Sequence, residues 1–222
     1  ENCTVTYARI DDAIQLIRSA GQGCYLAKTD IQSAFCIIPI HPSDYPLLGM
    51  CWRGKYYYDR CMPMGSASSC CTFENFSTAL EWPAKTYLDI PLIIHLLEDF
   101  FLVSPTFAGC QAHLSNFLSF CEFLSIPIAP DKTIGPSCVL SFCGIELDSM
   151  LMEARLPRDK ISKCMLEFGI NSCVTFTVVP FFWTMYGSIP KFFIYIPMHR
   201  GLLVLRSEER RVGKECRSRW SP

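Results

Sequence analysis

Zinc-finger and disulfide spacings are missing from this sequence, although it holds 14 cysteines and four histidines. There is no C-x-x-C, Cys70 and Cys71 are adjacent, and none of His41, His95, His113 and His199 has a second histidine at metal-ligand spacing. A structural zinc site and a stapled secreted scaffold are thereby disfavoured. Cys36, Cys51, Cys121 and Cys143 sit instead within apolar runs, which predicts free, buried thiols in a reducing compartment. An internal repeat and a low-complexity linker are also lacking. So is an excess of basic charge: 20 Lys and Arg face 21 Asp and Glu, for a net charge of −1. Whole-chain charge therefore gives no support for a partner held through phosphates. Finally, Glu1 stands where a Met would open a complete chain, so the native start is expected upstream and the missing signal peptide says nothing of targeting.

What is present suits a globular protein: 222 residues, half of them apolar, enough for one domain or a domain and a half with a real core. The last stretch, RSEERRVGKECRSRWSP at 206–222, breaks this pattern, being charged and without apolar periodicity. It resembles, residue for residue, the in-frame translation of a common sequencing-library adapter, and is set aside from fold and charge arguments. Without its six basic and three acidic residues the balance is 14 to 18, a net of −4.

Local signals give mixed elements. Ile10, Ala13, Ile14 and Ile17 share one helical face over Arg9 to Ala20, with Asp11 and Asp12 in the first turn and Gly21 and Gly23 as stops. A strand follows around Cys24 to Ile31, and Leu47 to Trp52 with Lys55 to Arg60 reads as a hairpin about Arg53 and Gly54. A helix from about Ala67 to Trp82 buries Phe73, Phe76 and Leu80, and another from about Cys110 to Leu124 turns Leu114, Phe117, Leu118, Cys121 and Leu124 inward. Between them LIIHL and FFLV bracket Glu98 and Asp99, and later VLSFCGIEL and LMEARL flank Asp148 and Ser149 as a hairpin. This order predicts an α+β fold, an antiparallel sheet with helices packed on one face.

Two acidic positions interrupt apolar strands: Asp30 at the end of LAKTD, and Glu98 with Asp99 at a hairpin tip. Carboxylates placed so can converge to hold two Mg²⁺ ions about 3.5–4 Å apart for phosphoryl or nucleotidyl transfer. The plainer reading makes Asp30 a turn residue and the acidic pair a solvated tip. Spacing alone leaves both open.

The blocks KTDIQSAF, CMPMGSASSCCTFENF, LLEDFF, PIAPDKT and LSFCGIEL occur in the order of the conserved blocks of reverse transcriptases, which the chain resembles from about Cys3 to Lys163. GQGCYLAKTDIQSAF, IPIHPSDYPLLG and GIELDSMLMEARLPRDKI are similar to DIRS-type, tyrosine-recombinase retrotransposons. The resemblance implies the fingers and palm of a polymerase over 1–163, binding template RNA or DNA with primer and a dNTP, with two Mg²⁺ (or Mn²⁺) ions, inside the cell in cytoplasm or nucleus. Asp30, Glu98 and Asp99 match its metal ligands, and Phe35 the aromatic under the sugar that excludes a ribonucleotide. Pro63 and Gly65 match the loop facing the incoming nucleotide, where a side chain would obstruct. Lys132 matches a lysine near the pyrophosphate leaving group. Ser141, Phe142, Cys143 and Gly144 match the hairpin that grips the primer terminus, with Cys143 where the family usually has Leu.

The family places an aspartate where Glu98 stands. The extra methylene displaces the carboxylate by about a bond length, and a misplacement near 1 Å can cost about 100-fold in rate. An impaired polymerase is therefore expected; the alternative is a non-catalytic retrotransposon remnant or pseudogene product that at most binds nucleic acid. After Lys163 the expected basic, helical thumb is missing or scrambled. Residues 164–205 read as frame-shifted or non-coding translation, a divergent thumb, or a membrane segment, the last weakened by Pro180, Gly187 and Pro190.

Overall fold

A computed structural model describes residues 5–66, 68–157, 160 and 162, and beyond them only the strand segments 175–176, 179–180 and 194–195. The expected helix start at Ala67, the boundary at Lys163, nearly all of 164–205 and the tail 206–222 lie outside the described residues. No helix among the described residues is long and apolar enough to cross a membrane.

The chain opens with α1 (Ile10–Ala20), which buries Ala13, Ile14 and Ile17. The Asp12 carboxylate accepts a hydrogen bond from the Arg9 backbone N–H at 2.7 Å, and Gly21 ends the helix at φ 95°, where a Cβ would be strained. β1 (Tyr25–Asp30) follows. After two 3₁₀ turns come β2 (Gly49–Trp52) and β3 (Lys55–Tyr58), a two-stranded ribbon with every residue exposed. α2 (Ser69–Thr86) precedes the hairpin of β4 (Ile93–Leu96) and β5 (Asp99–Ser104), and α3 (Phe107–Phe123) follows it. β6 (Ile134–Ser137), β7 (Val139–Phe142), β8 (Ile145–Asp148) and β9 (Glu153–Arg155) complete the fold.

The central sheet has the order β4-β5-β1-β6, with all neighbours antiparallel. β5 explains the run FFLV, because strand alternation sends Phe100 and Leu102 to one face and Phe101 and Val103 to the other, and both faces are covered. On the first face α2 and α3 supply Phe73, Leu80, Leu114 and Phe117, the packing expected of helices on an antiparallel sheet. α1 and the β7–β9 sheet cover the opposite face, meeting Leu26, Phe101 and Val103 with Ile14, Ile17, Leu140 and Phe142. Full burial of each such side chain is worth about 1.5–3 kcal/mol.

Several local expectations need correction. VLSFCGIEL, which periodicity alone made one arm of a hairpin, is β7 and β8 folded at a Cys143–Gly144 turn with φ of 49° and 77°, a hairpin where the resemblance had implied one. That pair of positive angles suits a two-residue hairpin. α2 continues through Pro83 to Thr86, anchored by the fully buried Ala84 in its last turn. Leu124 does not face inward: α3 ends at Phe123, and Leu124 is 42% exposed. Among the expected buried thiols only Cys121 is interior; Cys36, Cys51 and Cys143 are exposed, lying in a 3₁₀ turn, the open ribbon and a tight turn.

Candidate active site

Asp30 is the last residue of β1 and Asp99 the first of β5, and the antiparallel register sets them directly opposite each other. Cross-strand partners at such a position lie close enough to interact side chain to side chain. Burial, followed by the charge and hydrogen bond of Asp30 and the charge of Glu98, pushes the Asp99 carboxyl up to about 6; Lys28 pulls the other way. The Asp30 side chain, 6% exposed, receives a hydrogen bond from Lys132 Nζ at 2.9 Å. That bond raises the Lys132 pKa, while more than half of the lysine side chain remains in solvent. β6 makes this reach possible by lying tight on β1: a Cβ at Gly135 would come within 2.7 Å of Ala27 Cα.

Glu98 occupies the second position of the Leu97–Glu98 turn between β4 and β5. Its backbone carbonyl accepts from Ile31 N–H at 3.1 Å, and its Oε2 is buried without a hydrogen-bond partner. A desolvated carboxylate oxygen left so is costly unless something positive meets it. Hard oxygen donors of this kind suit Mg²⁺ or Mn²⁺, so the residues present fit such a cation. Among the described residues no three acidic, His or Cys side chains already surround a single point, so Glu98 has not joined Asp30 and Asp99 in one cage.

Asp30, Phe35, Met64, Glu98 and Lys132 line one cleft of about 400 Å³. Phe35 is 8% exposed and rests on Phe73 at 5.2 Å between ring centroids, so its position is fixed by the core. Pro63 and Gly65 flank the rim residue Met64 without lining the cleft themselves. The Pro63 carbonyl accepts from Ser69 Oγ at 2.8 Å, and Gly65 stands at φ 91°. The Ser141–Gly144 segment lies outside the lining and is joined to the central sheet: Lys28 Nζ donates to the Ser141 carbonyl at 2.9 Å, and Phe142 stacks on Phe101 at 4.9 Å.

Three neighbours of the site escaped the motif reading. Lys28 shares a strand face with Asp30 and sits near Asp99. Glu74 and His95 lie behind the hairpin turn, 7% exposed each. Their signal was available: a glutamate on the buried face of α2 and a histidine alternating with Ile93 in an apolar strand are polar groups where core is expected.

No family model matches the chain. It is 27% identical over 139 residues to Protein P of Duck hepatitis B virus (strain United States/DHBV-16), covering 62% of this chain and 16% of that protein. Among solved structures, the foamy viral protease-reverse transcriptase in complex with ds DNA matches with a TM-score of 0.58 at 18% identity, over 69% of this chain and 25% of the other. The foamy viral protease-reverse transcriptase in complex with an RNA/DNA hybrid matches with a TM-score of 0.55 at 18% identity, over 72% and 21%. The chain thus spans a quarter or less of these relatives, and within that span it has the fold of the foamy viral reverse transcriptase structures.

Proposed function

We propose that this chain is the fingers and palm portion of a retroelement RNA-directed DNA polymerase, of the DIRS-type its motifs resemble, which extends a primer with dNTPs on an RNA or DNA template. The observation that carries the reading is the opposed pair Asp30 and Asp99, with Asp30 lining a cleft that also receives Glu98, Lys132 and Phe35. The likeness to Protein P and to the foamy viral structures supports it at the level of fold.

Asp30 and Asp99, with Glu98, are the residues that would hold divalent cations. Such cations, when bound, supply charge neutralisation for the triphosphate and a more acidic primer hydroxyl. Lys132 extends from Asp30 toward solvent and can follow the leaving pyrophosphate, offering positive charge or a proton from Nζ. Phe35, held on Phe73, presents a fixed wall against a 2′-hydroxyl. The Met64 rim, between Pro63 and Gly65, borders the entry of nucleotide and template. The β7–β8 turn at Cys143 and Gly144, joined to β1 through Lys28, would seat the primer end.

The longer side chain of Glu98 makes this a weakened polymerase. A second reading, a remnant that binds nucleic acid without extending it, is favoured by the glutamate at position 98, where the resembling family has aspartate. Primer extension with Mg²⁺, beside template-primer binding, separates the two. Slow extension that Asp30→Asn abolishes without loss of binding supports the polymerase; binding with no extension by the unaltered chain and by Glu98→Asp leaves the remnant.

A further inference from the structure

The turn that presents Glu98 is unusual for its sequence. Leu97 takes φ 53°, a backbone region that residues with a Cβ rarely occupy and that neighbours must impose. Both polar groups of Leu97 are tied to one helix. Its N–H donates to Glu74 Oε2 at 3.0 Å, and its carbonyl accepts from Ser77 Oγ at 2.7 Å. Glu74 and Ser77 are one turn apart on the buried face of α2, so the helix clamps the hairpin at its bend.

A carboxylate as buried as that of Glu74 needs a compensating charge. His95 Nε2 lies 3.3 Å from Glu74 Oε1, and His95 Nδ1 is bonded to Glu81, which pairs with Lys85 at 2.5 Å near the surface. The histidine ring also meets Thr78 Oγ1 at 3.4 Å and packs on Phe100 of β5, and the charge of Glu74 also reaches Tyr7. Burial opposes charge on the ring, yet the hydrogen bonds of Glu74 and Glu81 outweigh it and hold His95 up at about 9. Charge therefore runs inward from Lys85 through Glu81 and His95 to Glu74, and ends on the backbone N–H of Leu97, the residue before Glu98.

We infer that Glu74, with His95 as its countercharge, is a positioning residue: it fixes the Leu97–Glu98 turn and so aims the carboxylates of Glu98 and Asp99. This deepens the proposed function and rests on reading those carboxylates as a divalent-cation site. A network that served only to stabilise the fold would change the melting temperature and leave cation affinity alone.

The test is Mn²⁺ binding to the full chain, followed by electron paramagnetic resonance of the free ion near neutral pH, with thermal melting alongside. Glu74→Ala removes the acceptor for Leu97 N–H and should weaken Mn²⁺ binding about tenfold, as loss of an outer-shell support does. Glu74→Gln keeps an acceptor oxygen and should stay within about threefold of the unaltered chain. Equal Mn²⁺ affinity in the unaltered chain and a folded Glu74→Ala overturns the inference alone. Should Glu74→Ala lose its melting transition, Ser77→Ala takes its place: about threefold weaker binding supports the clamp, and unchanged binding overturns it. An unaltered chain that binds no Mn²⁺ overturns the cation site itself, and the inference with it.

Discussion

Lys132 Nζ stands 2.9 Å from Asp30 Oδ2, joining residues 102 positions apart in the chain at the mouth of the cleft. The lysine side chain is 57% exposed and its partner 6%, so the pair brings a solvated cation to a buried anion.

Lys132→Ala should therefore separate catalysis from stability. Because the lysine side is largely solvated, the pair adds only about 1 kcal/mol to folding, whereas removing one preorganised donor to developing charge costs about 100-fold in turnover. Single-turnover extension at saturating dNTP, with a melting curve, checks both; unchanged turnover removes Lys132 from the chemistry.

Glu98→Asp should raise the extension rate by about 100-fold, because it restores the shorter carboxylate that the resembling polymerases carry at this position. Purified Glu98→Asp and unaltered chains are compared on one template-primer. Equal rates would show that the added methylene does not limit extension.

Stability should fall as pH rises through about 9, and part of that fall belongs to His95. Its pKa is raised from 6.5 to about 9 in the folded chain, so its stabilisation is complete below 6.5 and disappears above 9. The buried thiols of Cys24, Cys110 and Cys121, pushed up to about 11 or 12, erode stability in the same direction once unfolded thiols ionise. The difference between the unaltered chain and His95→Gln isolates the histidine. Urea denaturation across this range should show the two curves converging toward pH 9 and above; parallel curves would refute a charged His95.

Phe101→Ala should destabilise the fold by about 3–5 kcal/mol, since the ring is fully buried and stacks on Phe142 between the central sheet and the β7–β9 sheet. Urea unfolding measures it. A loss below about 1 kcal/mol would mean that the second sheet is not packed as described.

The sequence announced its core through periodicity, and that part of the fold was legible. Ala13, Ile14 and Ile17 on α1, and Phe73 and Leu80 on α2, are buried where helical spacing put them. The hairpin pairing of β4 with β5 was visible because apolar runs bracketed an acidic tip. Tight turns were harder: the run from Val139 to Leu147 is apolar enough to read as one strand, and only the positive φ of Cys143 and Gly144 breaks it. The opposition of Asp30 and Asp99 depends on strand register, which no local pattern reports, and it came from the order of motifs. Glu74 and His95 stood out only as polar residues at core positions; their partnership depends on the packing of α2 behind the hairpin, which no local pattern reports.

The β2–β3 ribbon carries a further consequence for handling the molecule. Trp52, Tyr56, Tyr57 and Tyr58 are between 44% and 87% exposed on two strands that pair only with each other among the described residues. Each outer edge is a row of open backbone donors and acceptors, flanked by rings that favour strand addition. Arg53, stacked 4.4 Å above Trp52, and Lys55 put like charge at its tip, which slows self-association at low salt. Colloidal behaviour should accordingly be salt-sensitive: raising ionic strength screens the like charge at the tip and brings ribbons of separate molecules together.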